Sequence, residues 1–234
     1  MTTQRSEGHL PDLRYELKLL CPAHMAAQTR MWVRHHPAGL RVAYPPRRVN
    51  SIYLDTPGLS MLTANLDGLA VRSKLRLRWH GDALTLIHPY LELKHRNNLL
   101  GSKEQIPLSC DLDLSARWTT ILGNVLACLE PSWRLRLQST NQPTLLNRYL
   151  REYYVTNDGV VRVTLDTEQT AYDQRFCARP NTRCRLPIQD VVVIEIKADR
   201  SHAERVQEIA NAFPISRTRN SKYAKGMLAA LYSQ

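Results

Sequence analysis

Cationic and uncharged residues alternate strictly along residues 72–79 of this chain. Successive side chains of a β-strand point to opposite faces, so the alternation predicts a strand with one cationic face and one apolar face. A row of cations on one face is unfavourable away from bulk water unless an anion or several carboxylates compensate it. The stretch is therefore either a solvated face of a sheet or part of an anion-binding surface. Its cations are Arg72, Lys74, Arg76 and Arg78.

The same alternation recurs elsewhere in the chain, with carboxylates included. A glutamate and a lysine separated by one apolar residue occur three times, beginning at Glu16, Glu92 and Glu195. An Asn-Asp-Gly sequence at residues 157–159 joins two long alternating stretches and predicts a β-hairpin. The pattern as a whole predicts strands over residues 13–20, 49–54, 72–79, 87–95, 103–108, 147–156, 160–169 and 191–198.

The remaining segments predict helices over residues 23–36 and 114–137, the second interrupted near Pro131, and two C-terminal helices broken at Pro214. Ser201 is the predicted N-cap of the first C-terminal helix, and Pro45 with Pro46 predicts a turn. Strands and helices do not alternate regularly, which argues against a parallel sheet. The predicted fold class is α+β: an antiparallel eight-stranded β-barrel with surrounding helices.

Composition narrows the class of partner. The chain has 234 residues, of which 43% are hydrophobic, so it can form a folded core. Its 32 lysines and arginines exceed its 21 acidic residues and leave a net charge of +11, which implies a polyanionic partner. We expect a flexible N-terminus over residues 1–12 and a single domain over residues 13–234. The five scattered cysteines and the lack of a long apolar run predict a reduced, cytoplasmic protein.

The polar faces of the predicted strands suggest a specific chemistry if they line the inside of a barrel. Arginine makes bidentate contacts with phosphate, and lysine acts as a mobile point charge. Carboxylates are poor phosphate ligands, but they bind Mg²⁺ or Mn²⁺, which bridge to phosphates. These are the ingredients of phosphoryl transfer. The alternative is a polar-faced sheet in which glutamates and lysines merely pair across strands.

The ordered motifs resemble the vacuolar transporter chaperone (VTC) polyphosphate polymerase domain, one of the CYTH-like triphosphate tunnel metalloenzymes. The matching stretches extend over nearly the whole chain and suggest a compact, bacterial-type member. They are Arg14-Tyr15-Glu16-Leu17-Lys18, Ile52-Tyr53-Leu54-Asp55-Thr56, Lys74-Leu75-Arg76-Leu77-Arg78-Trp79-His80-Gly81, Leu91-Glu92-Leu93-Lys94, Tyr149-Leu150-Arg151, Val161-Arg162-Val163-Thr164-Leu165-Asp166-Thr167, Val193-Ile194-Glu195-Ile196-Lys197 and Ser221-Lys222-Tyr223.

The resemblance implies a role for individual residues. Five basic residues would bind the reacting phosphates of ATP or polyphosphate and serve as the catalytic group: Arg76, Arg78, Lys94, Arg151 and Arg162. Four lysines would complete the substrate-binding lining: Lys18, Lys74, Lys197 and Lys222. The metal, Mn²⁺ or Mg²⁺, would be held by Glu195, with Glu16, Glu92 or Glu168 as the further carboxylates. Arg30 or Arg34 would serve as the basic residue that family members carry on a helix near the tunnel mouth.

The implied reaction moves the γ-phosphate of ATP onto inorganic polyphosphate. ATP and polyphosphate are the expected partners, with a separate membrane protein as a further one. The chain is not expected to carry the phosphate-sensing or membrane domains of the eukaryotic subunits. Its expected location is the cytoplasm or the inner face of the membrane.

Two other functions fit the same residues. A tunnel-type triphosphatase would direct water at the γ-phosphorus, and related tunnel enzymes also cyclise ATP. A non-catalytic module for polyphosphate, RNA or lipid would fit the net charge, but no signature of specific nucleic-acid binding occurs. Glu195 separates these classes, because a pure polyanion binder gains nothing from a carboxylate in a basic channel.

Overall fold

The computed structural model describes residues 14–98, 100–218 and 220–233. The prediction of a flexible segment over residues 1–12 lies outside this part of the chain. The described residues form ten strands: Arg14–Pro22 (β1), Arg41–Asp55 (β2), Val71–His80 (β3), Leu86–Ile87 (β4), Tyr90–Asn97 (β5), Leu100–Pro107 (β6), Leu112–Asp113 (β7), Gln142–Val155 (β8), Arg162–Asp173 (β9) and Val191–Asp199 (β10).

The same described residues form six α-helices: Ala26–Arg34 (α1), Ser60–Leu66 (α2), Trp118–Ala127 (α3), Pro131–Ser139 (α4), Ala203–Asn211 (α5) and Lys222–Tyr232 (α6). Short 3₁₀ turns at Ala23–Met25 and Arg200–His202 precede α1 and α5.

Eight strands close into an antiparallel barrel, as the sequence predicted. They pair in the order β1, β10, β9, β8, β2, β3, β5, β6, and β6 returns to β1. The strands β4 and β7 form a separate two-stranded sheet. The closing seam is short, because β1 and β6 pair only through Arg14 with Gly101 and Tyr15 with Leu100. The backbone hydrogen bonds of the other strands are satisfied by longer ladders within the wall.

The helices cover the outside of the barrel because its outer face is apolar. Leu75, Leu77 and Trp79 of β3 pack in one cluster with Trp118 and Trp133 of α3 and α4. Alternate residues of β9 and β10 pack with α1 and α5 in a second cluster. Side chains alternate across a strand, so the charged residues between these apolar ones face the barrel interior.

The hairpin between β8 and β9 is confirmed. Gly159 adopts a φ of 75°, a conformation that favours glycine, and its N–H donates to Thr156 O at 2.8 Å. Asp158 accepts a hydrogen bond from Val160 N in the same turn.

Asp55 ties the end of β2 to two helices. Its carboxylate is fully buried and accepts hydrogen bonds from the backbone N–H groups of Thr56, Met61 and Leu62 at 2.7–2.9 Å. It also accepts a 2.6 Å hydrogen bond from the Tyr223 hydroxyl of α6. The buried charge is therefore satisfied by the start of α2 and by α6, which positions α6 against the barrel.

Several predicted strand boundaries were wrong because of prolines. Pro45 and Pro46 lie within β2 rather than in a turn, because the register shifts there and a residue without an N–H is tolerated at a bulge. Pro89 separates β4 from β5, so residues 87–95 are not one strand.

Two predictions about helix ends were also wrong. The helix predicted from residue 114 begins at Trp118. Ser201 is not a cap, since its N–H and hydroxyl donate to Asp199, which caps the 3₁₀ turn before α5.

Candidate functional site

The cationic strand β3 faces a single buried carboxylate on β5. Directly opposite residues in an antiparallel ladder share a face, and Arg76 lies opposite Glu92. Arg76 Nε donates to Glu92 Oε1 at 2.9 Å, and Arg78 Nη1 lies 3.8 Å from the same oxygen. Burial alone would raise the pKa of Glu92, but the two guanidinium groups lower it to about 2. Glu92 thus stays ionised and holds both arginines in the barrel interior.

A second group consists of two glutamates and three lysines on β1, β10 and β5. Glu16 accepts contacts from Lys18 at 2.8 Å, Lys94 at 3.1 Å and Lys197 at 3.5 Å. Glu195 forms a close ion pair with Lys197 and lies 3.8 Å from Lys18. Burial would raise the pKa of Glu16, but the three ammonium groups hold it well below its usual value. Burial and neighbouring cations lower the pKa of Lys197 despite Glu16.

These two glutamates are the residues that fit a divalent cation. Oε1 of Glu16 and Oε1 of Glu195 are buried, and neither accepts a hydrogen bond of regular geometry. Each is ion-paired, the first with Lys18 and the second with Lys197. No group of three or more His, Cys, Asp or Glu side chains with metal-ligand geometry occurs among the described residues. Mg²⁺ and similar hard cations are commonly held by one or two carboxylates together with substrate phosphates. The pair therefore fits a metal that arrives with a phosphate ligand.

The third group joins two strands to helix α6. Asp166 of β9 is fully buried and accepts two hydrogen bonds from Arg151 of β8, at 2.6 and 2.8 Å. Lys222, the first residue of α6, donates to the same carboxylate at 2.6 Å. Burial would raise the pKa of Asp166, but Arg151 and Lys222 lower it. The Tyr149 hydroxyl accepts from Arg78 Nη2 at 2.8 Å, and its ring lies 4.5 Å from Lys222 Nζ.

Lys74 differs from these cations because it has no carboxylate partner among the described residues. Its ammonium group donates to the Ser221 hydroxyl at 2.7 Å. Burial, followed by repulsion from Lys18, Lys94 and other cations, lowers the pKa of Lys74 to about 6. It lines a cavity of about 660 Å³ at the end of the barrel beside α6. The cations and carboxylates of this cavity wall are Glu16, Lys18, Arg72, Lys74, Lys94, Arg96, Arg217 and Lys225.

The structure brings most of the predicted site residues together. An interior network of ion pairs, hydrogen bonds and cation–π contacts contains Lys18, Arg76, Arg78, Lys94, Arg151, Lys197, Lys222, Glu16, Glu92 and Glu195. Lys74 lies beside this network and contacts Ser221. Arg162 lies opposite Lys197 in the ladder, at the exposed start of β9.

Three other candidates lie outside this network. Glu168 is 58% exposed and pairs with Arg48 at 2.7 Å. Arg30 pairs with Glu152 at 2.8 Å, and Arg34 is exposed on the last turn of α1. Among the described residues, Lys222 of α6 is a helix-borne cation that contacts this network, whereas no contact joins either arginine of α1 to it.

Sequence reasoning missed two interior residues, Asp166 and Tyr149. The period of two along a strand could have identified both as interior residues. Asp166 shares the strand face of Thr164 and Arg162, and Tyr149 shares that of Arg151, which it precedes by two residues. The repeated Glu-x-Lys pattern contains neither residue, so a site predicted from that pattern omits both.

The closed barrel with a cationic interior defines a tunnel-fold protein. The VTC domain family matches residues 13–231, and the chain belongs to this family. No curated protein matches the chain. Among solved structures, it is similar to a provisionally assigned adenylate cyclase from Vibrio parahaemolyticus, with 14% identity, a TM-score of 0.50, and coverage of 89% of this chain and 95% of that one. This likeness shows the fold alone.

Family membership and the tunnel together support a tunnel-type protein that binds triphosphates or transfers phosphoryl groups. None of the helices in the described part of the chain is long and apolar enough to cross a membrane.

Proposed function

We propose that this protein is a metal-dependent polyphosphate polymerase that transfers the γ-phosphate of ATP onto inorganic polyphosphate inside the barrel. The observation that carries the proposal is the charge balance of the interior network. Within the described part of the chain, the seven predicted cations of this network contact only four carboxylates, which are Glu16, Glu92, Asp166 and Glu195, and Lys74 beside it contacts none. The cationic excess in a partly desolvated channel favours a chain of phosphates as its ligand.

The arginines and lysines have distinct parts in the proposed reaction. Arg76, Arg78 and Arg151 present planar guanidinium groups that suit bidentate contacts with phosphate oxygens. Lys94 and the other interior lysines neutralise the remaining charge along the phosphate chain. Because Glu92 and Asp166 already hold the arginines in place, little reorganisation is needed when the ligand enters, which is the condition for effective electrostatic stabilisation.

Glu16 and Glu195 would hold the divalent cation, Mn²⁺ or Mg²⁺. The chemistry that such a cation would supply there is neutralisation of the charge that develops at the reacting phosphate. Lys18 and Lys197, which now contact these carboxylates, would be available to the phosphates instead.

The bond changes are balanced without a protein nucleophile. A terminal oxygen of the bound polyphosphate attacks the γ-phosphorus of ATP, a new phosphoanhydride bond forms, and the bond to the β-phosphate oxygen breaks. ADP leaves, and the polymer is one phosphate longer. Positioning and charge stabilisation by the basic interior are the protein's contribution.

The pKa values of the interior carboxylates argue against a carboxylate base that would activate water. A triphosphatase needs a base that takes a proton from the attacking water. The pKa values of Glu16 and Glu92 are held low by neighbouring cations, as is that of Asp166, which makes these carboxylates weak bases. A polyphosphate terminus is already anionic and needs no such base. ATP and polyphosphate are thus the proposed ligands, and a cytoplasmic location beside a membrane partner follows from the same family resemblance.

Incubation with ATP and Mn²⁺ tests the proposal. Wild-type protein should release ADP and form long-chain polyphosphate, visible on a gel, with little free phosphate. Glu195→Gln and Arg76→Ala should each abolish polymer formation. Arg30, which pairs with Glu152 outside the interior network, provides a control, and Arg30→Ala should keep activity. Free phosphate without polymer would identify a triphosphatase, and binding without ADP release would identify a non-catalytic module.

A further inference from the structure

A cluster of two tyrosines and an arginine lies at the end of the barrel away from the lysine-lined cavity. Arg47 Cζ lies 5.7 Å from the centre of the Tyr44 ring and 6.0 Å from that of Tyr153. The two rings are 5.9 Å apart and nearly perpendicular. Tyr44 is 57% exposed, and Arg47 is exposed as well. The cluster therefore presents aromatic and guanidinium faces to solvent.

The register of the wall connects this cluster to the interior arginines. Arg47 of β2 lies directly opposite Arg151 of β8, so the two share the inner face. Tyr153 lies two residues beyond Arg151 on the same face, about 7 Å along the strand. Lys74 lies near the start of β3, and His80 is its last residue. His80 lies opposite Val49 of β2, and Arg47 precedes Val49 by two residues. The cluster thus lies at the end of the barrel opposite Lys74.

Arg47 has no carboxylate partner within the described residues, although cations surround it. Its neighbour Arg48, by contrast, pairs with Glu168 at 2.7 Å and lies 3.5 Å from Asp82. Burial and then the cations Arg78, Arg47 and Arg151 lower the pKa of His80. An uncompensated arginine beside further cations favours an anionic ligand at this end.

The two ends of the barrel differ in chemistry. Among the described residues, those that line the cavity beside Lys74 include lysines and arginines but no aromatic side chain. The opposite end has Tyr44 and Tyr153 at the rim, and the His80 and Tyr90 rings lie 6.1 Å apart. A phosphate chain needs only cations, while a nucleobase gains from stacking on aromatic rings and on guanidinium planes.

We propose that Tyr44, Arg47 and Tyr153 form a nucleobase subsite, so that a nucleoside triphosphate enters the barrel from this end with its phosphates leading. The inference rests on the proposed function and adds an orientation to it. The phosphates pass from Arg47 to Arg151 and Arg78, while the lysine-lined end takes phosphate chains that carry no base. Stacking uses the π-face that every base has, so the subsite discriminates nucleotides from inorganic triphosphate more than it discriminates between bases.

Calorimetric titration with two ligands tests the subsite. ATP and inorganic tripolyphosphate are titrated in EDTA, so that turnover contributes no heat. Tyr44→Ala should weaken ATP binding about tenfold, because the base loses one aromatic ring on which it stacks. Its affinity for tripolyphosphate should stay within about twofold of wild type. Tyr44→Phe retains the ring and should bind both ligands as wild type does. Tyr232, 83% exposed at the end of α6, gives the matched control Tyr232→Ala.

The outcomes separate the subsite from the proposed function. An equal loss of both affinities in Tyr44→Ala, or no loss of either, would overturn the nucleobase subsite even if the wild type synthesises polyphosphate. Wild-type protein that binds tripolyphosphate but not ATP would overturn it too. Selective loss of ATP affinity would support the subsite even if the wild type makes no polymer, in which case only the proposed reaction fails. If neither ATP nor tripolyphosphate binds to the wild type, either in EDTA or with Mg²⁺ in its place, both the subsite and the proposed function are overturned.

Discussion

Lys222 Nζ lies 2.6 Å from Asp166 Oδ2, so the first residue of helix α6 is paired with a fully buried carboxylate of the barrel wall. The same carboxylate accepts two hydrogen bonds from Arg151. One aspartate thus balances two cations that come from a strand and from a helix remote in sequence. Asp166 is best understood as a positioning residue, because its carboxylate fixes the cations while phosphate oxygens would contact them.

Asp166→Asn should destabilise the unliganded protein. Removing one partner of a buried ion pair leaves an uncompensated charge and typically costs about 3–5 kcal/mol. A phosphate ligand can replace the lost charge, so the increase in melting temperature on adding tripolyphosphate should be larger in the variant than in wild type. Asp82→Asn, at an 87% exposed partner of Arg48, is the control and should change neither quantity appreciably. An equal ligand-induced shift in Asp166→Asn and wild type would contradict the assigned role.

Lys74 should make the free protein more stable as the pH rises above its lowered pKa. Its pKa is about 6 in the folded protein, against an ordinary value of 10.5. The unfolded chain therefore binds more protons between these values, and the stability contributed by this site rises with pH across that window, by at most ~1.4 kcal/mol per pH unit.

The comparison with Lys74→Met measures this effect. The variant should be more stable than wild type near pH 7, and the difference should shrink as pH rises towards 10. Lys225→Met, at an exposed lysine of the same cavity, should show a much smaller change. Lys74→Met should also bind tripolyphosphate more weakly, and wild-type binding at pH 8 should take up a proton that the variant does not. A difference between Lys74→Met and wild type that is independent of pH would refute the assignment.

The alternation of charged and apolar residues was sufficient to predict the barrel and its inner face. Arg76, Glu92 and Lys197 all lie where period-two patterning places them, because a one-residue slip would expose the apolar outer face. The same alternation could not predict the position of Lys222. Whether a cation at the start of a helix faces the barrel depends on how α6 docks through Asp55 and Tyr223, and no local pattern contains that tertiary contact.

Other errors have equally local causes. The two prolines in β2 indicate a turn in isolation, but a strand with bulges tolerates them. Glu168 follows Asp166 by two residues and should share its face, yet it adopts a φ of 52° where the register with β8 shifts, and it pairs with Arg48 instead. A bulge reverses the facing of a residue, and nothing in a single sequence marks its place.

Glu92 should contribute to acid sensitivity. Its pKa is lowered to about 2 from an ordinary 4.5, chiefly by Arg76 and Arg78 acting against burial. The folded form therefore releases this proton more readily than the unfolded chain, so the stabilisation is complete above pH 4.5 and is lost as pH falls towards 2. It amounts to at most ~3 kcal/mol.

Glu92→Gln should accordingly lose stability at neutral pH but approach wild type in acid. Denaturant unfolding at pH 7, 5 and 3.5 would measure the difference in free energy of unfolding between the two proteins. Glu104→Gln, which changes an exposed glutamate paired with Arg136, should give a small difference at every pH. A constant difference for Glu92→Gln from pH 7 to pH 3.5 would show that the charge of Glu92 is not what stabilises the pair of arginines.

Gly226 controls how closely α6 approaches the barrel, and hence where Lys222 lies. A Cβ at this position would fall 3.0 Å from Leu145 Cδ1 and closer still to Cδ2, on a strand of the wall. Gly226→Ala should therefore overpack the contact, cost about 1–3 kcal/mol, and weaken tripolyphosphate binding by moving Lys222 away from Asp166.

A Cβ at Gly123, inside α3, would meet no described atom beyond its own helix within 4 Å, so Gly123→Ala should instead stabilise by roughly 0.5–1 kcal/mol. Leu145→Ala combined with Gly226→Ala should recover ligand affinity, because the methyl group then has space. Calorimetry on these variants and wild type would separate the effects, and Gly226→Ala protein with undiminished affinity would mean that the docking of α6 does not set the position of Lys222.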